Sequence, residues 1–301
     1  VLVQQTVDHL AVRSGGVYID GTVGEGGHAV AILQAAMPGG RLLGIDLDPK
    51  VVDRARQRLQ HHQSPHVITQ GSYPKMEGLA RSLGFSQPDG ILLDLGMSSF
   101  QLGVPGRGFS LLTEEPLDMR FDSEAGLTAE HIVNAYPLEE LAKILTDFGE
   151  EPRAKSIARA IVRHRPVTTT LGLANLVAKA YGGRRGRIHP ATRTFQALRI
   201  AVNSELDNVR QGLTGAINTL RPGGRLVVIS YHSLEDRIVK NMFTQESKDC
   251  ICPSSIPICS CNHIASLKSV TKKIVTPTVE EVRKNPRSRS ARLRAAERLP
   301  G

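Results

Sequence analysis

Tyr18–Val30 reads YIDGTVGEGGHAV, a short apolar strand followed by a glycine cluster and then by a segment of helical character. A strand, a glycine-rich turn and a helix in this order are typical of nucleotide-binding parallel sheets. The cluster fits G-x-G-x-x-G/A through Gly24, Gly26 and Ala29, and Asp46 lies 20 residues beyond Gly26. The stretch therefore predicts an α/β fold that binds a nucleotide, and it leaves the nucleotide open.

Apolar segments bounded by turn residues recur along the chain, with helical stretches between them. The segments of strand character are Gly16–Asp20, Arg41–Asp46, His66–Gln70, Asp89–Gly96 and Arg225–Ser233. Continuous apolar strands that alternate with helices indicate a parallel sheet covered on both faces. Such sheets bind their ligands beyond the carboxyl ends of the strands.

More than a hundred residues separate the fourth and fifth of these strands, far more than one crossover needs. Residues 111–204 are helical and basic in character, and Ala154, Ile157, Ala158 and Ile161 form one apolar stripe. We predict an α/β domain from residues 1–110 and 205–301, with a small all-helical domain inserted at 111–204. The segment after Lys268 is expected to be a basic tail, extended or partly ordered until it binds a partner.

The net charge of +9 is unevenly distributed. The range 152–204 holds eleven Lys or Arg and no acidic residue, and the range 268–301 holds ten basic and three acidic residues, a net of +7. These two segments sum to +18, so the remainder carries 9 − 18 = −9. Basic runs are often only solvated surface, but two runs this pure favour a polyanionic partner such as nucleic acid.

All four cysteines lie in CICPSSIPICSC, as Cys250, Cys252, Cys259 and Cys261. Two C-x-C pairs can hold zinc as thiolates, and a surface loop of reduced thiols explains the same pattern equally well. The sequence does not decide between these two interpretations, so we assign no metal ligand from it. No apolar run approaches the ~18 residues that span a bilayer, and no secretory segment begins the sequence, which favours a cytoplasmic enzyme without a membrane partner.

Charge distinguishes the candidate nucleotides. The loop contains Glu25 and follows Asp20, and no Lys or Arg occurs between Ser14 and Gly40. A pyrophosphate favours backbone N–H groups without nearby carboxylates, whereas S-adenosylmethionine carries a sulfonium and an ammonium. Asp46 is placed to accept both ribose hydroxyls, although a strand-end carboxylate can instead cap the next helix. We therefore favour S-adenosylmethionine over NAD.

The fourth strand ends at Asp94, in LLDLGMSSFQL. An exocyclic base amine attacks poorly because its lone pair is delocalised into the ring, and it becomes positive as it takes a methyl group. Acceptors directed at its N–H bonds stabilise that charge. Asp94 is the candidate catalytic residue, and a role in cofactor binding alone is the alternative.

The chain resembles the bacterial MraW/RsmH family in DGTVGEGGH, GIDLDP, DGILLDLGMSS, PLDMRFD, HPATRTFQALRIAVNSEL, LRPGGRLVVISYHSLEDRIVK and NPRSRSARLRAAER. Enzymes of that family are S-adenosylmethionine-dependent 16S ribosomal RNA (cytosine-N4)-methyltransferases. The resemblance implies a Rossmann-like class I methyltransferase domain, with a mainly parallel sheet, and an inserted helical domain. It also implies that the substrate is a cytidine of 16S ribosomal RNA, within the small ribosomal subunit.

The resemblance also implies site residues. The expected cofactor contacts are Gly26, Gly27, His28, Asp46, Tyr73, Asp94 and Gln101. The expected substrate contacts are Asp118, Arg120, Arg193 and His232, and for each of these four a structural ion pair, brace or helix cap is the alternative. In SLED, Ser233 and Asp236 fit a capping box. Few rings are available for base stacking, among them Phe100, Phe109 and Tyr231.

Two other functions remain as alternatives. An NAD-dependent oxidoreductase fits the glycine pattern but not the acidic loop or the basic segments. A non-catalytic RNA-binding assembly factor fits the basic segments and requires no working cofactor site. The sequence leaves the oligomeric state open.

Overall fold

The computed structural model describes residues 1–97, 105–124, 126–182, 189–253 and 259–300. Two compact units divide the chain, one formed by Val1–Gly96 with Leu206–Gly301 and the other by Met97–Glu205. The domain boundaries expected from the sequence stay a prediction.

The first unit is built on one seven-stranded sheet of order β3-β2-β1-β4-β5-β7-β6. Its strands are β1 Val17–Asp20, β2 Arg41–Asp46, β3 His66–Gln70, β4 Gly90–Asp94, β5 Arg225–Ser230, β6 Leu267–Ser269 and β7 Arg292–Arg298. The pairs among β1 to β5 are parallel, while β7 pairs antiparallel with β5 and β6. The order 3-2-1-4-5 is the Rossmann arrangement, so the predicted fold class is confirmed.

Helices cover both faces of this sheet. They are α1 Val3–Leu10, α2 Gly27–Ala35, α3 Pro49–Leu59, α4 Met76–Ser82, α10 Glu205–Thr219, α11 Ser233–Glu246 and α12 Val279–Lys284, with 3₁₀ turns at Tyr73–Lys75 and Pro286–Ser290. Alternate strand residues separate into two cores, as in β2, where Leu42 packs with α2 and α3 while Leu43 packs with α4 and α10. The strands β1, β2, β4 and β5 are therefore apolar along most of their length, which is why they could be found from continuous apolar runs.

The second unit is helical in its described residues. Its helices are α5 Ala129–Ala135, α6 Leu138–Gly149, α7 Ala154–Arg163, α8 Thr170–Ala180 and α9 Thr192–Asn203. The predicted stripe of α7 is buried, with Ala154 4% exposed and Ile157, Ala158 and Ile161 fully buried. The apolar face of α7 thus joins a core of its own, distinct from the two cores beside the sheet. The predicted apolar stripe of α7 is therefore confirmed, and the inserted helical domain stays a prediction.

The expectation that the segment after Lys268 is only partly ordered until it binds a partner is wrong for residues 292–298. Residues 292–298 form β7, an interior strand of the sheet, in which Leu293, Ala295 and Ala296 are buried. The charges that suggested a tail are paired inside the fold: Arg292 and Arg294 contact Asp236 of α11 at 3.2 and 2.7 Å. Glu297 pairs with Arg225 directly across the strand pair at 2.8 Å.

No helix in the described ranges is both long enough and apolar enough to cross a membrane.

Candidate active site at the carboxyl edge of the sheet

Three neighbouring strands end in a carboxylate at the same edge of the sheet. The order β2-β1-β4 places Asp46, Asp20 and Asp94 side by side. Asp20 lies opposite Gly44 and Leu92, so its strand ends two residues earlier than its neighbours. Two residues correspond to about 6–7 Å of strand, and Asp20 is therefore recessed behind the other two carboxylates.

Asp20 is fully buried. Its Oδ1 accepts a hydrogen bond from the Thr22 N–H at 3.2 Å, and its Oδ2 has no hydrogen-bond partner among the described residues. Burial raises the pKa of Asp20 to about 7, an effect that the nearby His28 opposes. Buried carboxyl oxygens usually accept a hydrogen bond, so this oxygen of Asp20 is available to accept one from a bound ligand.

The glycine loop is pinned to the second strand by Asp46. Its Oδ2 accepts the Gly24 N–H at 3.0 Å and its Oδ1 accepts the Asp48 N–H at 3.1 Å. Burial raises the pKa of Asp46 to about 6, although these N–H groups lower it. Each carboxylate oxygen has two lone pairs, so Asp46 retains acceptor capacity for a ligand.

The loop turns sharply and leaves the start of α2 open. Gly26 has φ of 81°, a left-handed conformation that favours glycine. Among the described residues, a side chain at Gly27 would meet no atom within 4 Å, and none caps this end of the helix. The first N–H groups of α2, at Gly27 and His28, thus form an uncapped helix start of the kind that can bind an anionic group.

The charge argument for the loop is wrong in one respect. Although no basic residue lies near the loop in sequence, α3 brings Arg54 to within 3.0 Å of Glu25, and Arg58 donates to the Glu25 carbonyl at 3.4 Å. The charge of Glu25 is therefore balanced from outside the loop. The negative charge of this edge comes from the three strand-end aspartates instead.

Asp94 forms two hydrogen bonds and lies close to His28. Its backbone N–H donates to Thr22 Oγ1 at 2.6 Å, and its Oδ1 accepts the Tyr231 hydroxyl at 2.8 Å. Its Oδ2 lies 3.3 Å from His28 Nε2, but neither nitrogen of that buried ring forms a hydrogen bond within the described residues. Burial and the neighbouring Asp94 raise the pKa of Tyr231, so the hydroxyl stays a donor. One carboxylate oxygen is fixed and the other is less constrained.

Thr22 and the Tyr231 hydroxyl are parts of this site that the sequence reasoning missed. Tyr231 was expected only as a ring for base stacking, yet it follows β5 directly, and β5 is the neighbour of β4. Strand order was the signal that could have identified the hydroxyl as a partner of Asp94. Gly96 has φ of 94°, and a Cβ there would lie 3.4 Å from the Tyr231 ring, so the turn after β4 makes room for that ring.

Tyr73 lies beside the same edge, after β3. A Cβ at Gly212 of α10 would lie within 2.3 Å of the Tyr73 ring, so the glycine allows the ring to pack closely on that helix. Part of the ring is thus used in core packing, and its stacking on adenine stays a prediction. Gln101 and Phe100 lie outside the described residues.

His232 is the N-cap of α11. Its Nδ1 accepts the Glu235 N–H at 3.4 Å, and Glu235 Oε2 accepts the His232 N–H at 3.3 Å. The capping box predicted for Ser233 and Asp236 is therefore wrong by one residue, because Asp236 is drawn away by two arginines of β7. A contact between His232 and substrate stays a prediction beside this structural role.

The other three predicted substrate residues belong to the helical unit. Asp118 and Arg120 pair with each other through two bonds of 2.8 and 2.7 Å, and this pairing lowers the pKa of Asp118 against the effect of burial. Arg193 exposes its side chain on α9, and its carbonyl would lie 2.7 Å from a Cβ at Gly149. All three substrate contacts stay predictions.

Comparison with known proteins identifies the chain. The model of the MraW methylase family matches residues 1–299. The chain belongs to the MraW methylase family. Its similar relatives include proteins named ribosomal RNA small subunit methyltransferase H. The one from Thermomicrobium roseum is 52% identical over 99% of this chain and 93% of the relative. The one from Dehalococcoides mccartyi is 50% identical over 99% and 86%.

Membership of the MraW methylase family confirms the predicted family, and with it an enzyme that transfers a methyl group from S-adenosylmethionine to ribosomal RNA. The alternatives of an NAD-dependent oxidoreductase and of a non-catalytic assembly factor are set aside. For this MraW methylase the roles of the individual site residues stay predictions.

Proposed function

We propose that this chain methylates the exocyclic N4 amine of a cytidine in 16S ribosomal RNA, with S-adenosylmethionine as methyl donor. The observation that carries the proposal is the Asp94 carboxylate at the end of β4, with one oxygen fixed by the Tyr231 hydroxyl at 2.8 Å. This substrate would place the reaction in the cytoplasm.

The residues at the sheet edge fit the methyl donor. The uncapped N–H groups of Gly27 and His28 suit its carboxylate, and the acceptor capacity of Asp46 suits its ribose hydroxyls. The unpartnered Oδ2 of Asp20 offers an acceptor for positive charge in a buried position. When bound, S-adenosylmethionine supplies an electrophilic methyl group on a positively charged sulfur.

Asp94 is suited to the amine that receives the methyl group. As the N4 nitrogen bonds to the methyl carbon it becomes pyramidal and positive, and a carboxylate that accepts its N–H bonds stabilises that charge. As the N–C bond forms, the bond between the methyl carbon and the donor's sulfur would break and leave a neutral thioether. The surplus N4 proton would pass to the Asp94 carboxylate that accepts its N–H bond, and from there to water, which restores the neutral amine. The Tyr231 hydroxyl orients the carboxylate beforehand, so little reorganisation is needed during the reaction.

Exposed basic side chains support an RNA partner. On α7, Lys155, Arg159 and Arg163 follow one another at intervals of four residues, and all three are exposed. The opposite face of α7 is buried in the helical core. Such a row of cations can neutralise successive phosphates of an RNA strand.

To test the proposal, purified protein is incubated with methyl-labelled S-adenosylmethionine and with small ribosomal subunits from cells that lack this modification. We expect label on one cytidine, recovered after nuclease digestion as N4-methylcytidine and located by mass spectrometry. Subunits that already carry the modification are the matched control and should accept no label. Label on another base, or no transfer to subunits, naked 16S RNA or DNA, would overturn the proposal.

A further inference from the structure

The segment between α11 and β6 contains the four cysteines, and its two ends are joined at their base. Ser266 donates its N–H to the Glu246 carbonyl at 2.8 Å and its hydroxyl to Glu246 Oε2 at 2.6 Å. Farther out, the Ala265 N–H donates to Asp249 Oδ1 at 3.2 Å. These bonds hold the two arms of the segment side by side, so Cys250 and Cys261 face each other across it.

The four sulfur atoms are gathered into one cluster, with every Sγ of Cys250, Cys252, Cys259 and Cys261 within 4.8 Å of the others. Cys259 and Cys261 are 3.6 Å apart, and Cys261 and Cys250 are 3.9 Å apart. A tetrahedral zinc ion with Zn–S bonds of about 2.3 Å separates its sulfurs by about 3.8 Å. The cluster thus has the dimensions of a zinc-thiolate site.

Polar groups of each arm contact a sulfur of the other arm. Cys261 Sγ accepts the Ile251 N–H at 3.5 Å. Cys252 Sγ and Ser260 Oγ lie 3.9 Å apart. The two arms are therefore linked through the cysteine sulfurs themselves, an arrangement that a loop of unrelated thiols has no reason to adopt.

His263 has other contacts. Its Nδ1 lies 2.8 Å from the Lys248 carbonyl, and its Nε2 lies 3.7 Å from Glu246 Oε1. The ring therefore braces the base of the segment, and the four thiolates form the ligand set without it.

We propose that Cys250, Cys252, Cys259 and Cys261 bind one zinc ion as a structural centre. Four protein thiolates fill the tetrahedral coordination and leave no position for a water molecule, so the ion takes no part in methyl transfer. Its role is to fix the link between α11 and β6, and metal binding to such a segment contributes directly to its folding.

The first test measures zinc in the full-length protein, purified under reducing conditions from medium containing zinc. We expect about one zinc per chain. Replacement by Co²⁺ should give the intense sulfur-to-cobalt charge-transfer bands of four thiolates and the red-region bands of tetrahedral geometry. Absence of zinc together with no such cobalt spectrum would overturn the proposal, and the readout does not depend on methyltransferase activity.

Variants identify the ligands. Cys252→Ser and Cys261→Ser should each lose the bound zinc, whereas Ser260→Ala keeps all four thiols and should retain it. His263→Gln should also retain zinc with an unchanged cobalt spectrum, and its loss of the metal would overturn the four-cysteine assignment. A further measurement does not depend on variants that fold. Thiols of the wild-type protein are counted in denaturant with a chelator: four free thiols agree with four zinc-binding thiolates, and two disulfides overturn the proposal.

Discussion

The carboxyl edge of the sheet and the helical unit handle their carboxylates in opposite ways. At the edge, Asp20 has an oxygen without a hydrogen-bond partner in the part of the chain that the structure describes, and burial raises the pKa of Asp20 to about 7 and that of Asp46 to about 6. In the helical unit, Asp118 receives two bonds from Arg120 and its pKa is lowered. The first arrangement costs stability and the second adds to it.

Two tyrosine–carboxylate pairs have similar hydrogen bonding and different neighbours. Tyr231 donates to Asp94 at the sheet edge, and Tyr181 donates to the buried Glu151 in the helical unit. Asp94 has a second oxygen 3.3 Å from His28 Nε2, whereas Glu151 Oε1 also accepts the Arg153 N–H at 2.9 Å, which anchors the start of α7, and Glu151 Oε2 has no hydrogen-bond partner among the described residues. We propose that the first pair serves the reaction and the second serves folding, which mutations can separate.

The largest effect is expected for Asp94→Ala. Loss of the acceptor for the developing positive charge should lower kcat by about 10²–10³-fold. RNA binding should be largely unchanged, because phosphate contacts dominate affinity for nucleic acid. Single-turnover methyl transfer and filter binding measure the two quantities. Asp53→Ala, which removes an exposed carboxylate from α3, is the control, and equal activity of the two variants would contradict a catalytic Asp94.

Asp20→Asn should change the dependence of stability on pH. Between about pH 4 and pH 7 the folded protein holds a proton on Asp20 that the unfolded chain has released, so the wild type loses stability as pH rises. The variant lacks this loss and should gain on the order of 3 kcal/mol relative to the wild type between pH 4 and pH 8. Urea unfolding without cofactor at both pH values measures this gain.

Asp53→Asn serves as the control for this experiment, because Asp53 is exposed and should give a curve parallel to the wild type. If the pH dependence of stability of Asp20→Asn is also parallel to that of the wild type, the pKa of Asp20 is not raised on folding. The proposed contrast between the two units then fails at Asp20.

Tyr231→Phe should lower kcat by about tenfold, the effect expected when one hydrogen bond to a charged group is lost. The ring and its fit against Gly96 are retained, so the free energy of unfolding should fall by no more than one hydrogen bond contributes, about 1–2 kcal/mol. Tyr181→Phe is the matched control from the helical unit: it should reduce stability by about 1–2 kcal/mol and leave kcat unchanged. An unchanged kcat for Tyr231→Phe together with a lowered kcat for Tyr181→Phe would contradict the proposed difference between the two tyrosine–carboxylate pairs.

The smallest effect is expected for Asp118→Asn, which weakens the pair with Arg120. Because this pair is partly exposed, the loss should be about 1 kcal/mol at pH 7. The pKa of Asp118 is lowered on folding, so its contribution is present at neutral pH and is lost as pH falls below about 4. Thermal unfolding at pH 7 and near pH 3.5 checks this, and a raised KM for subunits would instead reveal a substrate contact.

Much of the parallel sheet could be predicted because its interior strands are buried on both faces, and because the edge strand β3 still has an apolar Val-Ile pair between turn residues. Arg41–Asp46 and His66–Gln70 were located with their observed bounds. β7 was not predicted as a strand, because Arg292, Arg294 and Arg298 give this segment the composition of a partly ordered basic tail. Its stability depends on Asp236 and Arg225, residues distant in sequence, and composition carries no information about such pairing.

At the site, the sequence located Asp46 and Asp94 because a strand end is a position that a local pattern marks. It missed the balance of charge at Glu25, since Arg54 reaches the loop only through packing of α3. It also placed the capping box of α11 one residue late, because Asp236 satisfied the local rule while its partners lie on β7. Local rules thus failed where a distant segment competes for the same side chain.

The position of β7 has a consequence for synthesis of the chain. β6 pairs with β7, and β5 pairs with β7 on its other side, so a strand near residue 298 joins two that are made earlier. Until that strand leaves the ribosome exit tunnel, β5 presents an unpaired edge that is prone to pair with other chains. An enzyme that modifies ribosomal RNA thus completes its own sheet only when translation of this segment has ended.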